Sequence, residues 1–314
     1  MRGRIKNEAG FALILTLVVT ALMVAVVVEM IHQVYVDTSI SRGFRDGQQA
    51  SILAESGAMM VRTALAQKVD PDLLANFLAK PLSDDIGSLE IKINDESGKI
   101  YINGLVDALD NYDLPTKNSL LWLISLLKLQ GDPPDNMLDS IADWIDKNGT
   151  PRAKGAETPY YRTLKPTYSA RNDKLMTLTE LSLVKGITPA ILDGLVDEKG
   201  KVRFRDCLTI YSNTPSSVIN VNSAPKPVLM ALDKSISESV ANRIINMRPF
   251  NGPGDFQKVP ELDSLYKNSA SWGARLTTNK SSLFRVIAIA KVKESARTVE
   301  VVVSNGAFLS WQEY

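Results

Sequence analysis

Asp139, Asp143 and Asp146 stand at i, i+4 and i+7 in the segment Asn136 to Asp146, where Leu138, Ile141 and Ile145 recur at helical spacing. On a helix three carboxylates so spaced share one face and repel one another. A hard divalent cation would relieve the repulsion, and such an ion takes about six to eight oxygens. Asp143, Asp146, Asn148 and Glu157 are the candidate ligands, drawn from the helix end and the loop after it. Their order is not that of an EF-hand, so a solvated acidic stripe stands beside the metal reading. A pair such as Asp143 and Glu157 also suits glycoside hydrolysis. Clustered exposed aromatics that would mark a sugar site are lacking, and Trp144 reads as core packing.

The rest of the composition closes off other chemistry. The chain of 314 residues has one histidine, His32, and one cysteine, Cys207. That count removes Ser-His-Asp and Cys-His catalysis, multi-His metal sites, zinc ribbons and any internal disulfide. There is no P-loop pattern and no glycine-rich dinucleotide fingerprint. Lys and Arg number 36 against 35 Asp and Glu, so no bulk basic field points to nucleic acid.

Two segments, Leu181 to Leu195 and Leu229 to Met247, are similar to helix-hairpin-helix modules, whose glycines let the backbone approach a DNA phosphate. Gly186 is present in the first, but Thr188 stands where a second glycine is wanted. Ser235 and Ser237 hold both places in the second. Lost glycines in a neutral chain argue for packing units and against DNA binding.

These residues need elements to position them. Ser119 to Leu129 is a strongly apolar helical run stopped by Gly131-Asp132-Pro133-Pro134, and at eleven residues it is too short to span a bilayer. Thr177 to Leu183 and Pro189 to Val196 read as short helices joined at Gly186, Ala224 to Leu232 as a helix capped by Ser223, and Ile236 to Met247 as an amphipathic helix ended by Pro249. Val259-Pro260 opens a last short piece. Flanking this helical stretch, Leu89 to Asn94 and Lys99 to Asn103 alternate around the turn residues Asp95 to Gly98, which predicts a hairpin. Phe284 to Val292 and Arg297 to Val303 read as two further strands, and the four together as a small antiparallel sheet.

Phe11 to Val28 carries eighteen residues without a charge. As a helix this run is about 27 Å long, enough to span a bilayer once. Arg2, Arg4 and Lys6 precede it against Glu8 alone, which keeps the N-terminus cytoplasmic and puts everything after Met30 outside. Beyond Met30 the pattern stays helical to about Gln67, weakened at Gly43, Gly47 and Gly57. No A-x-A-like cleavage site follows the apolar run between Val28 and Ser39. A short basic leader ending in Gly10, with Phe11 opening the helix, resembles the prepilin leader of type IV pilins and type II secretion pseudopilins. That resemblance implies a prepilin peptidase cutting after Gly10 and methylating Phe11; an uncleaved single-span anchor is the alternative. Most pilin-like chains carry a Glu five residues into the mature helix to neutralise a neighbour's N-terminal ammonium. Leu15 stands there here, which suits the end of a filament and not its middle.

The run Ile141-Ala142-Asp143-Trp144-Ile145-Asp146, then Gly155-Ala156-Glu157 with Tyr160-Tyr161, then Leu178-Thr179-Glu180-Leu181 with Val184-Lys185-Gly186-Ile187-Thr188, then Ile219-Asn220-Val221-Asn222-Ser223-Ala224-Pro225, resembles the K-type minor pseudopilins of type II secretion. With the leader, the resemblance covers nearly the whole chain. It implies an α+β fold: a pilin-like long N-terminal helix on a small antiparallel sheet, interrupted by a large, mostly α-helical insertion with two SAM-like, helix-hairpin-helix-like units. The corresponding division is a leader at 1–10, a spine helix at 11–67, the sheet from 68–104 plus 284–314, and the insertion at 105–283. The implied role is non-enzymatic: a subunit at the pseudopilus tip that starts or caps assembly with the I-type and J-type minor pseudopilins. The major pseudopilin, the prepilin peptidase, the inner-membrane assembly platform and inner-membrane lipid are its other expected partners, and the C-terminal domain is expected in the periplasm. The resemblance also implies bound calcium at the acidic segment, with Asn148 standing where many relatives have an acid. A tip subunit of a type IV or competence-like pilus, with a ligand- or DNA-binding helical domain, is the alternative.

Overall fold

The computed structural model describes residues 8–129, 131–194, 202–268 and 272–314. The leader residues 1–7, and Leu195 and Val196 at the end of an expected helix, lie outside these. The chain divides into two compact units: residues 1–92, 286–301 and 310–314 form one, and residues 93–285 with 302–309 the other.

In the first unit one helix, α1, runs from Glu8 to Ala66. Among the described residues it is the one helix long and apolar enough to cross a membrane, and its apolar window is wholly exposed. Its outer half earns its place by a stripe of small residues. Ala50, Ala54, Ala58 and Val61 are fully buried, at the i, i+4, i+8, i+11 spacing of one helix face. Gly57 allows close approach: a Cβ there would lie 3.1 Å from methyl groups of both Leu89 and Ile91. The short helix α2 (Pro71–Phe77) follows, capped by Asp70, and then β1 (Leu82–Ser83) and β2 (Ser88–Asp95), paired antiparallel.

In the second unit come β3 (Ile100–Tyr101), α3 (Leu114–Leu126), α4 (Pro134–Ile145), α5 (Thr158–Tyr161), α6 (Pro189–Asp193), β4 (Leu208–Thr209), β5 (Ile219–Asn220), α7 (Lys226–Leu232), α8 (Glu238–Asn246), α9 (Pro260–Lys267) and β6 (Leu276–Thr277). One contiguous core joins them, with Leu120, Leu123, Leu138, Ile141, Phe204 and Leu229 fully buried within it. Side-chain amides fasten its loops. Asn103 donates to the carbonyls of Leu175 and Ile210 and accepts from the Leu175 N–H, and Asn222 bridges Phe250 and Thr278. The chain ends in β7 (Leu283–Val292), β8 (Ser295–Ser304) and β9 (Ala307–Glu313). The sheet order is β1-β2-β7-β8-β9.

Three expectations change. The hairpin of Leu89 to Asn94 with Lys99 to Asn103 does not form: β2 pairs with β7, while β3 pairs in parallel with β4, Ile100 opposite Leu208 and Tyr101 opposite Thr209. The physical reason lies in the intervening residues. Asp95 caps a 3-10 turn over Glu96–Gly98, Glu96 is buried, and a Cβ on Gly98 would strike the Ser223 and Ala224 backbone at 2.5 to 2.6 Å. The segment is therefore packed and not a solvated turn, and Ile100, Tyr101 and Ile102 are buried in succession with no exposed face. Thr177 to Leu183, expected as a short helix, is a 3-10 helix over Leu178–Leu183, with Glu180 accepting from the N–H groups of Met176 and Thr177; the helix expected from Ala224 instead starts at Lys226 behind Pro225, and the Ser223 hydroxyl does not cap it. The last strand, β9, lay beyond the two C-terminal strands expected.

Candidate functional site

The acidic segment is carried by α4, which Pro134 opens and Asp146 ends. Its apolar face, with Leu138, Ile141 and Ile145, enters the core. Trp144 is 3% exposed and packs edge-on against Tyr161 and Tyr168, as a core residue would. Packing of that face, together with the loop 147–157 folded over the end of α4, buries the carboxylates too: Asp143, Asp146 and Glu157 are 0%, 1% and 2% exposed. Gly155 makes this closure possible, since a Cβ there would fall 1.8 Å from Asp143 Oδ2.

The stripe of three carboxylates is resolved by different partners. Asp139 accepts from the Tyr112 hydroxyl at 2.5 Å and from the Lys154 N–H at 3.1 Å. Arg152 reaches in from the loop: its Nη1 bonds Asp143 Oδ1 at 2.8 Å and also Asp146 Oδ2, its backbone N–H donates to Asp143, and its Nη2 donates to the Asp110 carbonyl at 2.6 Å. One guanidinium thus serves two buried carboxylates. Glu157 caps α5 through the Thr158 N–H.

Acceptors remain. Asp146 Oδ1, Glu157 Oε1 and Asn172 Oδ1 are sealed from solvent and accept no hydrogen bond from any described residue. Burial raises the pKa of Asp143, of Asp146 and of Glu157, against the opposing pull of Arg152 on the first two and of the Thr158 N–H on the third; the charges of Asp143 and Asp146 push Glu157 further up. Of the four expected ligands, Asp143 has both oxygens turned to Arg152. Asn148 points elsewhere, its Oδ1 accepting from the Thr150 N–H and its Nδ2 donating to Asp110. Asn172, absent from the sequence reading, belongs to the site: its backbone N–H bonds the Trp144 carbonyl and its Nδ2 the Asn148 carbonyl. No spacing rule would have picked it out. Among the described residues no three Asp, Glu, His or Cys side chains are gathered as a metal-ligand set. The leftover acceptors, two carboxylate oxygens and one amide oxygen beside a buried net negative charge, are nevertheless the donor chemistry a hard cation takes.

Gly186 occupies the turn of the first helix pair with φ +83°, as a hairpin glycine should, but the group against it is a carboxylate: a Cβ there would lie 2.9 Å from Asp132 Oδ2. In the second pair Asp233 accepts from the Ser235 N–H, and Ser237 caps α8. Carboxylates at both turns repel a phosphate. At the N-terminal end, Gly10 and Phe11 lie in the first turns of α1, with Phe11 and Leu15 both exposed.

Sequence comparison matches two family models, each described as type II secretion system protein K, to residues 98–196 and 219–274. The type II secretion system protein K of Pseudomonas aeruginosa is 27% identical, over 81% of this chain and 77% of its own length. That of Aeromonas hydrophila is 24% identical, over 96% and 94%. In structure, the chain is similar to one from the GspK-GspI-GspJ complex of the enterotoxigenic Escherichia coli type 2 secretion system, with a TM-score of 0.65 at 16% identity, over 88% of this chain and 99% of that one. The acidic segment, both helix pairs and the Asn220–Asn222 loop all fall within the matched regions, and this chain belongs to the type II secretion system protein K family.

Proposed function

We propose that this minor pseudopilin of type II secretion works at the tip of the pseudopilus, where it starts or caps assembly during protein export across the outer membrane. One observation carries the reading: a pilin-type spine and sheet are interrupted by a helical unit larger than themselves. Bulk of that size suits the end of a stack of subunits and obstructs its continuation. Leu15 supports the same place from the opposite end of the chain, because a terminal subunit has no earlier ammonium to neutralise. The partners that follow are the I-type and J-type minor pseudopilins and the major pseudopilin, with the spine held in the inner membrane, the rest in the periplasm, and the assembly platform extracting it. The helix pairs are read as SAM-like packing units, and the role as structural and not catalytic. The competence-pilus alternative is not favoured, since the relatives are secretion proteins and the hairpin turns face carboxylates.

At the acidic centre the fitting complement is one hard divalent cation, calcium by family resemblance. Asp146, Glu157 and Asn172 would hold it through their leftover oxygens, offsetting the two negative charges that Arg152 leaves among three buried carboxylates. Its role would be to fix the loop 147–157 on α4.

Processing is tested by the intact mass of the protein from its native membrane, with and without the prepilin peptidase. Loss of Met1 to Gly10 plus one methyl group, dependent on that enzyme, is the expected result. An unprocessed N-terminus would leave a simple membrane anchor.

A further inference from the structure

Arg152 stands where a cation would. One nitrogen of its guanidinium, Nη1, bonds two buried carboxylates, Asp143 through Oδ1 at 2.8 Å and Asp146 through Oδ2, while Nη2 donates to the Asp110 carbonyl at 2.6 Å. Three oxygens, two of them carboxylate, thus surround one positive group. The guanidinium also lies over the Tyr112 ring, its central carbon 4.9 Å from the ring centroid. Its side chain keeps 16% of its surface exposed against 0% for both acids, so the positive group borders solvent while the carboxylates it holds do not.

The oxygens left over at the centre are Asp146 Oδ1, Glu157 Oε1 and Asn172 Oδ1, sealed from solvent and accepting nothing from a described residue. A hard divalent cation takes about six to eight oxygens, so these fall well short of a full set. The oxygens that Arg152 holds would double their number. An arginine that merely ordered the ligands would leave Asp143 an oxygen to give. Here both are taken, Oδ1 by Nη1 and Oδ2 by the Arg152 backbone N–H at 3.1 Å. Charge acts in the same direction: Asp143, Asp146 and Glu157 carry three negative charges when ionised, and the guanidinium cancels one that would otherwise attract a metal.

We propose that Arg152 is a resident counter-cation that occupies part of the cation site and thereby sets its affinity. It neutralises part of the buried charge whether or not metal is present, and it withholds Asp143 Oδ1, Asp146 Oδ2 and the Asp110 carbonyl from any metal that enters. The proposal rests on the reading of the acidic centre as a calcium site. The wild-type centre accordingly takes calcium weakly, with fewer protein ligands than its oxygens could provide.

The test is calorimetric titration of the full chain in detergent micelles with calcium chloride at pH 7, after chelator treatment, for the wild type, Arg152→Ala and Arg152→Gln. Both substitutions remove the charge, and Gln keeps an amide that can still bond one carboxylate. Arg152→Ala tightens calcium binding about tenfold or more, and Arg152→Gln tightens it by less. Truncating a residue that only ordered its neighbours would weaken binding, so the sign of the change decides. Calcium binding by the wild type with equal or weaker binding by both variants overturns the proposal and leaves the calcium reading standing. A silent wild type beside an Arg152→Ala variant that binds does the reverse: Arg152 holds the place of the metal, and the wild type carries none. Absence of binding in all three overturns both. Should Arg152→Ala fail to fold, Arg152→Gln decides by the same sign.

Discussion

Arg152 decides what the acidic segment is. Without it, Asp143 and Asp146 would be two buried carboxylates one turn apart, each costing several kcal/mol by order of magnitude; with it, the pair is bridged while Asp146 Oδ1 and Glu157 Oε1 stay unmatched. The sign of the pH dependence follows. Folding raises the pKa of Asp143, Asp146 and Glu157, chiefly by burial. An acid so shifted favours the folded state most when protonated, so the metal-free centre contributes best below the ordinary carboxylate range and loses that contribution as pH climbs through the raised values. A cation that needs the ionised form opposes this loss. In thermal unfolding of the full chain at pH 7, calcium at about a hundredfold over its Kd should add about 2.7 kcal/mol relative to chelator. The increment should shrink towards pH 4 and be largely lost in Glu157→Gln but kept in Asn148→Ala, whose side chain is turned to Thr150 and Asp110. No increment in the wild type at pH 7 would remove the metal from the account. The carboxylate spacing was legible in the sequence, because helical periodicity alone puts the acids on one face. Arg152 and Asn172 were not: both sit in irregular loops, where spacing carries no orientation.

At the scale of elements, what periodicity governs was legible and what depends on distant pairing was not. The spine helix and strands β2, β7 and β8 follow their sequence patterns closely. Strand β3 does not, since its partner β4 lies more than a hundred residues away and pairs in parallel, so the local turn residues Asp95 to Gly98 suggested a nearer mate. Strand β9 had its signal: Asn305-Gly306, both with positive φ at 49° and 77°, is the favoured two-residue hairpin loop, and Leu309-Ser310-Trp311-Gln312 alternates. The glycines of α1 divide by environment. Gly57 lies against Leu89 and Ile91, while nothing is within 4 Å of a Cβ on Gly43. Gly57→Leu should therefore cost about 1–3 kcal/mol by overpacking. Gly43→Ala should be neutral or add up to about 1 kcal/mol of helix stability. Thermal unfolding of the two variants in micelles checks the contrast, and equal effects would mean that Gly57 is not a packing residue.

The whole molecule combines a spine suited to a filament with a helical unit suited to stopping one. The sequence carried both halves plainly, the first as an uncharged run behind a basic leader and the second as a proline-punctuated helical stretch between strand patterns. Membership of the protein K family joins them in one chain. The central claim is position, and it is tested most directly by gold-labelling a tag placed after Tyr314 on pseudopili sheared from cells that overproduce the major subunit. Label at one end of each fibre is the expected result. Label distributed along the fibres would contradict a tip subunit.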